Sequence, residues 1–258
     1  MSGADQASDS WHAADQKSPT VYDDIQKTTR VCAYDRPGVL HRDQTLSRSD
    51  PVPQPTSAQD EVNDLVALLK AADVPGPYVL IAHSLSGTIA RVFAGEHPDE
   101  VKGIVFVDGT TPEFRAQMTP EEWMTYKRIA TPPAKTLAAY PNVERADWDK
   151  NMDQTAAAAA LKPMPVVVLT ASDKYVDVTP RLIQAGELPP DTPPDFGVVM
   201  DRAWLATQNK LAALVPGAVH ITVTHSGHFI MIDNAPVVIQ AIHMVVDAVR
   251  AGKTSLKG

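Results

Sequence analysis

Five short runs constrain this chain more than any other feature, because each is rich in apolar and β-branched residues: residues 31–34, 78–82, 104–107, 166–170 and 219–224. A strand with one wet face alternates in polarity. A continuous run rich in β-branched residues suits a parallel sheet covered on both sides. Amphipathic patterns fill the gaps. Val62, Leu65, Val66 and Leu69 share one helical face, as do Leu85, Ile89, Val92 and Phe93 before Pro98. Val237, Ile239, Ile242, Val245, Val246 and Val249 predict a long C-terminal helix. Strands alternating with helices specify an α/β fold, a mostly parallel central sheet with helices on both faces.

The 258 residues suit a single domain, 1–258. Within it, residues 109–165 carry helical patches, with prolines at 112, 120, 132, 133 and 141, but no strand, and are read as an inserted lid. Pro51, Pro53 and Pro55 mark an extended loop, and residues 179–196 a second proline-rich excursion. Such insertions on a rigid scaffold are where specificity resides. A net charge of −8 argues against a nucleic-acid partner or an anionic membrane surface. No run is long enough for a membrane span. The lone Cys32 lies in the 31–34 run and reads as a buried, inert thiol. The first thirty residues are polar and are no signal peptide as written, so the expected location is cytoplasmic, or secreted if an upstream leader is missing from the sequence.

The stretch Ala82-His83-Ser84-Leu85-Ser86-Gly87 joins the 78–82 run to a helical pattern. A serine there, flanked by small residues two before and two after, has the form of a nucleophile elbow: a strained turn that raises the hydroxyl above the sheet at a helix N-terminus. A serine hydroxyl needs a base, and the base an orienting carboxylate, following in the order Ser, acid, His. Asp173, after the 166–170 run, is the preferred acid. Asp108, after 104–107, is the alternative, read otherwise as a turn carboxylate before Gly109. His228, across the Ser226-Gly227 turn from the last run, is the preferred base, with His225 its near rival and His83 a packing residue. No cluster has the composition of a metal site, and no cofactor is expected.

"TTRVCAYDRPG" (28–38), "PGPYVLIAHSLSGTIARVFAGEHPDEVKGIVFVD" (75–108), "PVVVLTASD" and "SGHFIMIDNAP" resemble the α/β-hydrolase superfamily in order and spacing. The resemblance implies a Ser84–His228–Asp173 triad that cleaves esters or related acyl compounds through an acyl-enzyme. It also implies an oxyanion hole from the backbone N–H groups of Leu85 and of Ala4, since "SGADQASDSW" (2–11) is similar to the oxyanion loop, with Gly3 matching its glycine. The family's first three strands have no counterpart here, so either the neighbouring strands close up or the sequence is a shortened version of a longer protein, the second being the preferred expectation. Leu40 stands where a glycine is expected.

The leading function is hydrolysis of a small, apolar ester, with Trp123, Met124, Tyr126 and Trp148 of the lid as candidate pocket residues. The competing readings are a catalytically impaired or non-catalytic relative, and acyl transfer or perhydrolysis on the same triad.

Overall fold

The structure, a computed structural model, describes residues 1–12 and 19–257. Four parallel strands form one sheet in the order β1 (Tyr78–His83), β2 (Val101–Val107), β3 (Val166–Ala171) and β4 (Val219–Val223). Among the described residues the helices, in chain order, are α1 (Val21–Ile25), α2 (Ala58–Ala71), α3 (Ser86–Glu96), α4 (Pro112–Ala116), α5 (Pro120–Ile129), α6 (Ala134–Ala139), α7 (Trp148–Ala157), α8 (Tyr175–Gln184), α9 (Phe196–Ala212), α10 (Ile230–Asp233) and α11 (Ala235–Arg250).

The continuous apolar runs serve both faces of this sheet. Ile104, Phe106, Val166 and Val168 point into a core with Val62 and Leu65 of α2 and Ile89 and Phe93 of α3. The alternate residues Val105, Val107, Val167 and Leu169 pack on Val238, Ile242 and Val245 of α11. A period of two along each strand therefore feeds two separate cores. The helices begin as their sequences dictate: Ser57 and Asp60 form a capping box on α2, and Thr119 and Glu122 one on α5.

Two expectations are corrected. Residues 31–34 form no strand, and Cys32 is exposed. The β1 edge that would pair with them is met instead by Met1, whose N donates to Ile81 O at 2.7 Å and whose O accepts from His83 N at 3.1 Å. A cavity of about 60 Å³, lined by Met1, Ile25, Ile81, Ile242 and residues 31–33, separates the run from β1. Apolar side chains alone do not make a strand when no backbone ladder is within reach. The proline-rich excursion also contains helix, for α8 carries Pro180 inside it.

Between β2 and β3 run α4 to α7 and no strand. Leu85 of the elbow packs with Phe114 of α4, Trp123 and Tyr126 of α5, Trp148 and Met152 of α7, and Phe196 and Trp204 of α9. No helix among the described residues is long and apolar enough to cross a membrane.

Candidate active site

The C-terminal ends of the strands bring the site together. Ser84 follows β1 and Asp108 follows β2, in the register that pairs His83 with Val107. Ser84 has φ 52°, a left-handed conformation that a non-glycine residue adopts only under strain. Its backbone is fixed by Ser84 N donating to Val107 O at 3.2 Å and Ser84 O accepting from Thr110 N at 3.0 Å. A Cβ on Gly87 would stand 2.7 Å from Thr110 N, so this elbow position admits no side chain.

His228 reaches over from the loop after β4. Its Nε2 is 2.9 Å from Ser84 Oγ, and its Nδ1 is 2.7 Å from Asp108 Oδ2. The carboxylate can only accept, so Nδ1 carries the hydrogen and Nε2 offers its lone pair to the serine hydroxyl. Asp108 is 1 % exposed, and its other oxygen accepts from Ala171 N at 3.1 Å.

The expectation that Asp173 orients the histidine is corrected. Asp173 is exposed, its N donates to Ser226 O at 3.1 Å, and its carboxylate lies toward Gly227. Strand order is the reason. β2 is the immediate neighbour of β1, so a residue leaving β2 stands one strand from Ser84, whereas one leaving β3 stands two. His225 is exposed on the turn.

His83 does more than pack. It is fully buried, and its Nε2 donates to the His228 carbonyl at 2.9 Å, which fixes the His228 backbone. Burial, reinforced by the neighbouring His228, holds the His83 imidazole well below the ordinary histidine pKa, so it stays neutral. The Trp204 ring meets His228 edge-on, with centroids 5.1 Å apart.

The Ser2–Ala7 loop lies against the elbow. A Cβ on Gly3 would come within 2.9 Å of His83 Nδ1 and 3.0 Å of Ser84 Cβ, so only glycine lets the loop approach this closely. Among the described residues, the N–H groups of Ala4 and Leu85 donate to no acceptor. Leu40 pairs with Gln6 through a parallel bridge and accepts from Ala7 N at 3.2 Å, supporting the loop where a glycine was expected.

Sequence reasoning missed Arg36, Ser86 and Glu144, which grip this loop. Arg36 Nη1 and Nη2 donate to Ser2 O and Gly3 O, each at 2.7 Å, and Ser86 Oγ donates to Ser2 O at 2.6 Å. The small residue at position 86 is thus a serine with a use for its hydroxyl. Of the candidate pocket residues between β2 and β3, Trp123, Tyr126 and Trp148 are buried in the aromatic cluster, while Met124 faces outward, 61 % exposed. Beside the site opens a cavity of about 410 Å³ lined by Asp5, Ala7, His41, Pro132, Pro133 and Phe229. Among the described residues no group of side chains could hold a metal ion.

Comparison with known proteins agrees with this architecture. An uncharacterized protein of Schizosaccharomyces pombe is 48% identical over 84 residues, which is 33% of this chain and 14% of that protein. A relative from Hormonema carpetanum, named as a probable transporter, is 25% identical over 274 residues, 91% of this chain. The match spans 38% of that relative's length, so the chain corresponds to only part of these longer proteins. In fold, it is similar to a thermophilic esterase from Thermogutta terrifontis at a TM-score of 0.55 and 16% identity, covering 94% of this chain and 86% of that one. The model of the alpha/beta hydrolase family matches residues 2–241, and the chain belongs to that family.

Proposed function

We propose that the chain is a serine hydrolase that cleaves an ester or related acyl bond of a small, apolar substrate through an acyl-enzyme. The observation that carries this reading is the continuous relay from Ser84 Oγ to His228 Nε2 at 2.9 Å and from His228 Nδ1 to Asp108 Oδ2 at 2.7 Å. In this mechanism Ser84 attacks the substrate carbonyl while His228 takes its proton. Asp108, not Asp173, holds the imidazole in the required tautomer and stabilises the imidazolium that forms. The Ala4 and Leu85 N–H groups receive the developing oxyanion. Collapse of the tetrahedral intermediate expels the alcohol, which takes the proton back from His228, and water repeats the sequence on the acyl-enzyme. The aromatic cluster over Leu85 supplies an apolar wall for the acyl group, and the 410 Å³ cavity beside Phe229 has room for a small leaving group.

A fluorophosphonate probe tests the reading, because it phosphonylates only an activated serine. Wild-type protein becomes labelled and hydrolyses p-nitrophenyl butyrate, and Ser84→Ala abolishes both. Folded wild-type protein that takes up no label overturns the proposal.

A further inference from the structure

We infer that Arg36 and Glu144 are positioning residues that aim the Ala4 N–H at the carbonyl oxygen attacked by Ser84, a proposal that rests on the hydrolase reading above.

Backbone geometry carries it. In a trans peptide the C=O and the following N–H point in opposite directions. Arg36 Nη2 holds Gly3 O at 2.7 Å, so the Ala4 N–H of the same peptide unit is turned to the other side. The preceding unit is held twice, because Ser2 O accepts from both Arg36 Nη1 and Ser86 Oγ. The following one is held through its nitrogen, since Asp5 N donates to Glu144 Oε2 at 2.7 Å. The flanking amides of the loop are therefore tied down, and the Ala4 N–H between them has no acceptor among the described residues.

Arg36 and Glu144 are fixed in their turn. Glu144 receives Arg36 Nε at 2.5 Å and Nη2 at 2.9 Å, a two-point pairing of planar groups that leaves the guanidinium little freedom. Arg36 is 2 % exposed and Glu144 1 %. Burial works against the Arg36 charge, yet Glu144 and its hydrogen bonds outweigh that cost and hold the guanidinium ionised. The Glu144 backbone is stitched to the body, with Glu144 N donating to Gly38 O at 2.9 Å and Thr56 N to Arg145 O at 2.9 Å. The segment between β2 and β3 thus contributes a carboxylate to the alignment of the loop as well as a wall to the pocket.

A pair serving stability alone is distinguishable from one serving alignment. Loss of alignment weakens only what is bound in the transition state, so kcat falls with KM nearly constant. Arg36→Lys keeps the charge but loses the fork, and Glu144→Gln keeps the shape but loses the charge. For each folded variant, kcat on p-nitrophenyl butyrate falls about 100-fold, the scale of one lost oxyanion donor. KM stays within about threefold, and the Ki of a trifluoromethyl ketone, whose adduct bears an oxyanion, rises in proportion to the fall in kcat. Ser86→Ala removes one of the two donors to Ser2 O and gives a loss of about fivefold in kcat with a matching rise in Ki. It decides the question if the ion-pair variants do not fold. Variants with kcat and Ki both at wild-type values overturn the positioning role and leave the hydrolase reading intact. Wild-type protein that neither labels nor hydrolyses overturns both.

Discussion

Ser84 and Asp108 both stand at positive φ, 52° and 47°, immediately after neighbouring strands. Two non-glycine residues in the left-handed region carry a conformational cost that surrounding hydrogen bonds must offset. Here the Thr110 and Leu169 backbones do so, through Thr110 N on Ser84 O and Asp108 N on Leu169 O. The strain places one hydroxyl and one carboxylate on the two nitrogens of a single imidazole. Asp108→Asn is therefore expected to lower kcat by roughly 10⁴-fold. Asp173→Asn, at an exposed position, is expected to stay within about twofold of wild type. Steady-state hydrolysis of p-nitrophenyl butyrate by both variants checks this, and the reverse ranking would restore Asp173 as the acid. That Ser84 and His228 belong to the candidate site was legible in the sequence because each sits in a local pattern, an elbow and a glycine turn. Which carboxylate meets the imidazole was not, since choosing between Asp108 and Asp173 depends on which strand lies beside β1, and that is a property of the sheet. His83 and Ser86 lay inside the motif, but their hydrogen bonds run to His228 and Ser2, 145 and 84 residues away.

Elements formed where the sequence supplied both a pattern and a partner. The runs that became β1 to β4 each found a parallel neighbour, whereas residues 31–34 had equal apolar character and no ladder to join. The insertion shows the converse. α4 is five residues long and too short to be stable alone. It is held by Phe114, which is fully buried with its ring edge-on to Tyr126 at 4.7 Å and to Trp204 at 5.1 Å. Phe114→Ala is expected to destabilise the protein by about 3–5 kcal/mol, the usual cost of emptying a buried aromatic site. Urea unfolding followed by tryptophan fluorescence measures this, and a loss below about 1 kcal/mol would show that the cluster does not anchor the insertion. Periodicity foretold that this region is helical. It could not foretell that α9, more than eighty residues further on, closes the same cluster.

One buried cluster of charge joins distant parts of the molecule: Arg36 after the 31–34 run, Glu61 on α2, and Glu144 in the insertion. Glu144 takes the two-point pairing with Arg36, and Glu61 is left 3.8 Å from the same guanidinium while only 4 % exposed. Burial pushes the Glu61 carboxyl up from 4.5 to about 7; Arg36 opposes the shift, and the negative charge of Glu144 adds to it. The sign of the consequence follows from proton linkage. A folded-state pKa above the unfolded one means that the folded protein holds a proton the unfolded chain releases between about pH 4.5 and 7. The contribution of Glu61 to stability is thus fully present below pH 4.5 and is lost as pH rises through 7. Glu61→Gln cannot ionise and escapes that loss. Its unfolding free energy, measured by chemical denaturation beside the wild type, should improve relative to wild type on going from pH 5 to pH 8. The other titrating groups are common to both proteins, so the difference reports Glu61 together with its coupling to Arg36 and Glu144. A difference that is constant with pH, or that moves toward the wild type as pH rises, would mean that Glu61 is already ionised at pH 5 and that Arg36 is shared by two carboxylates.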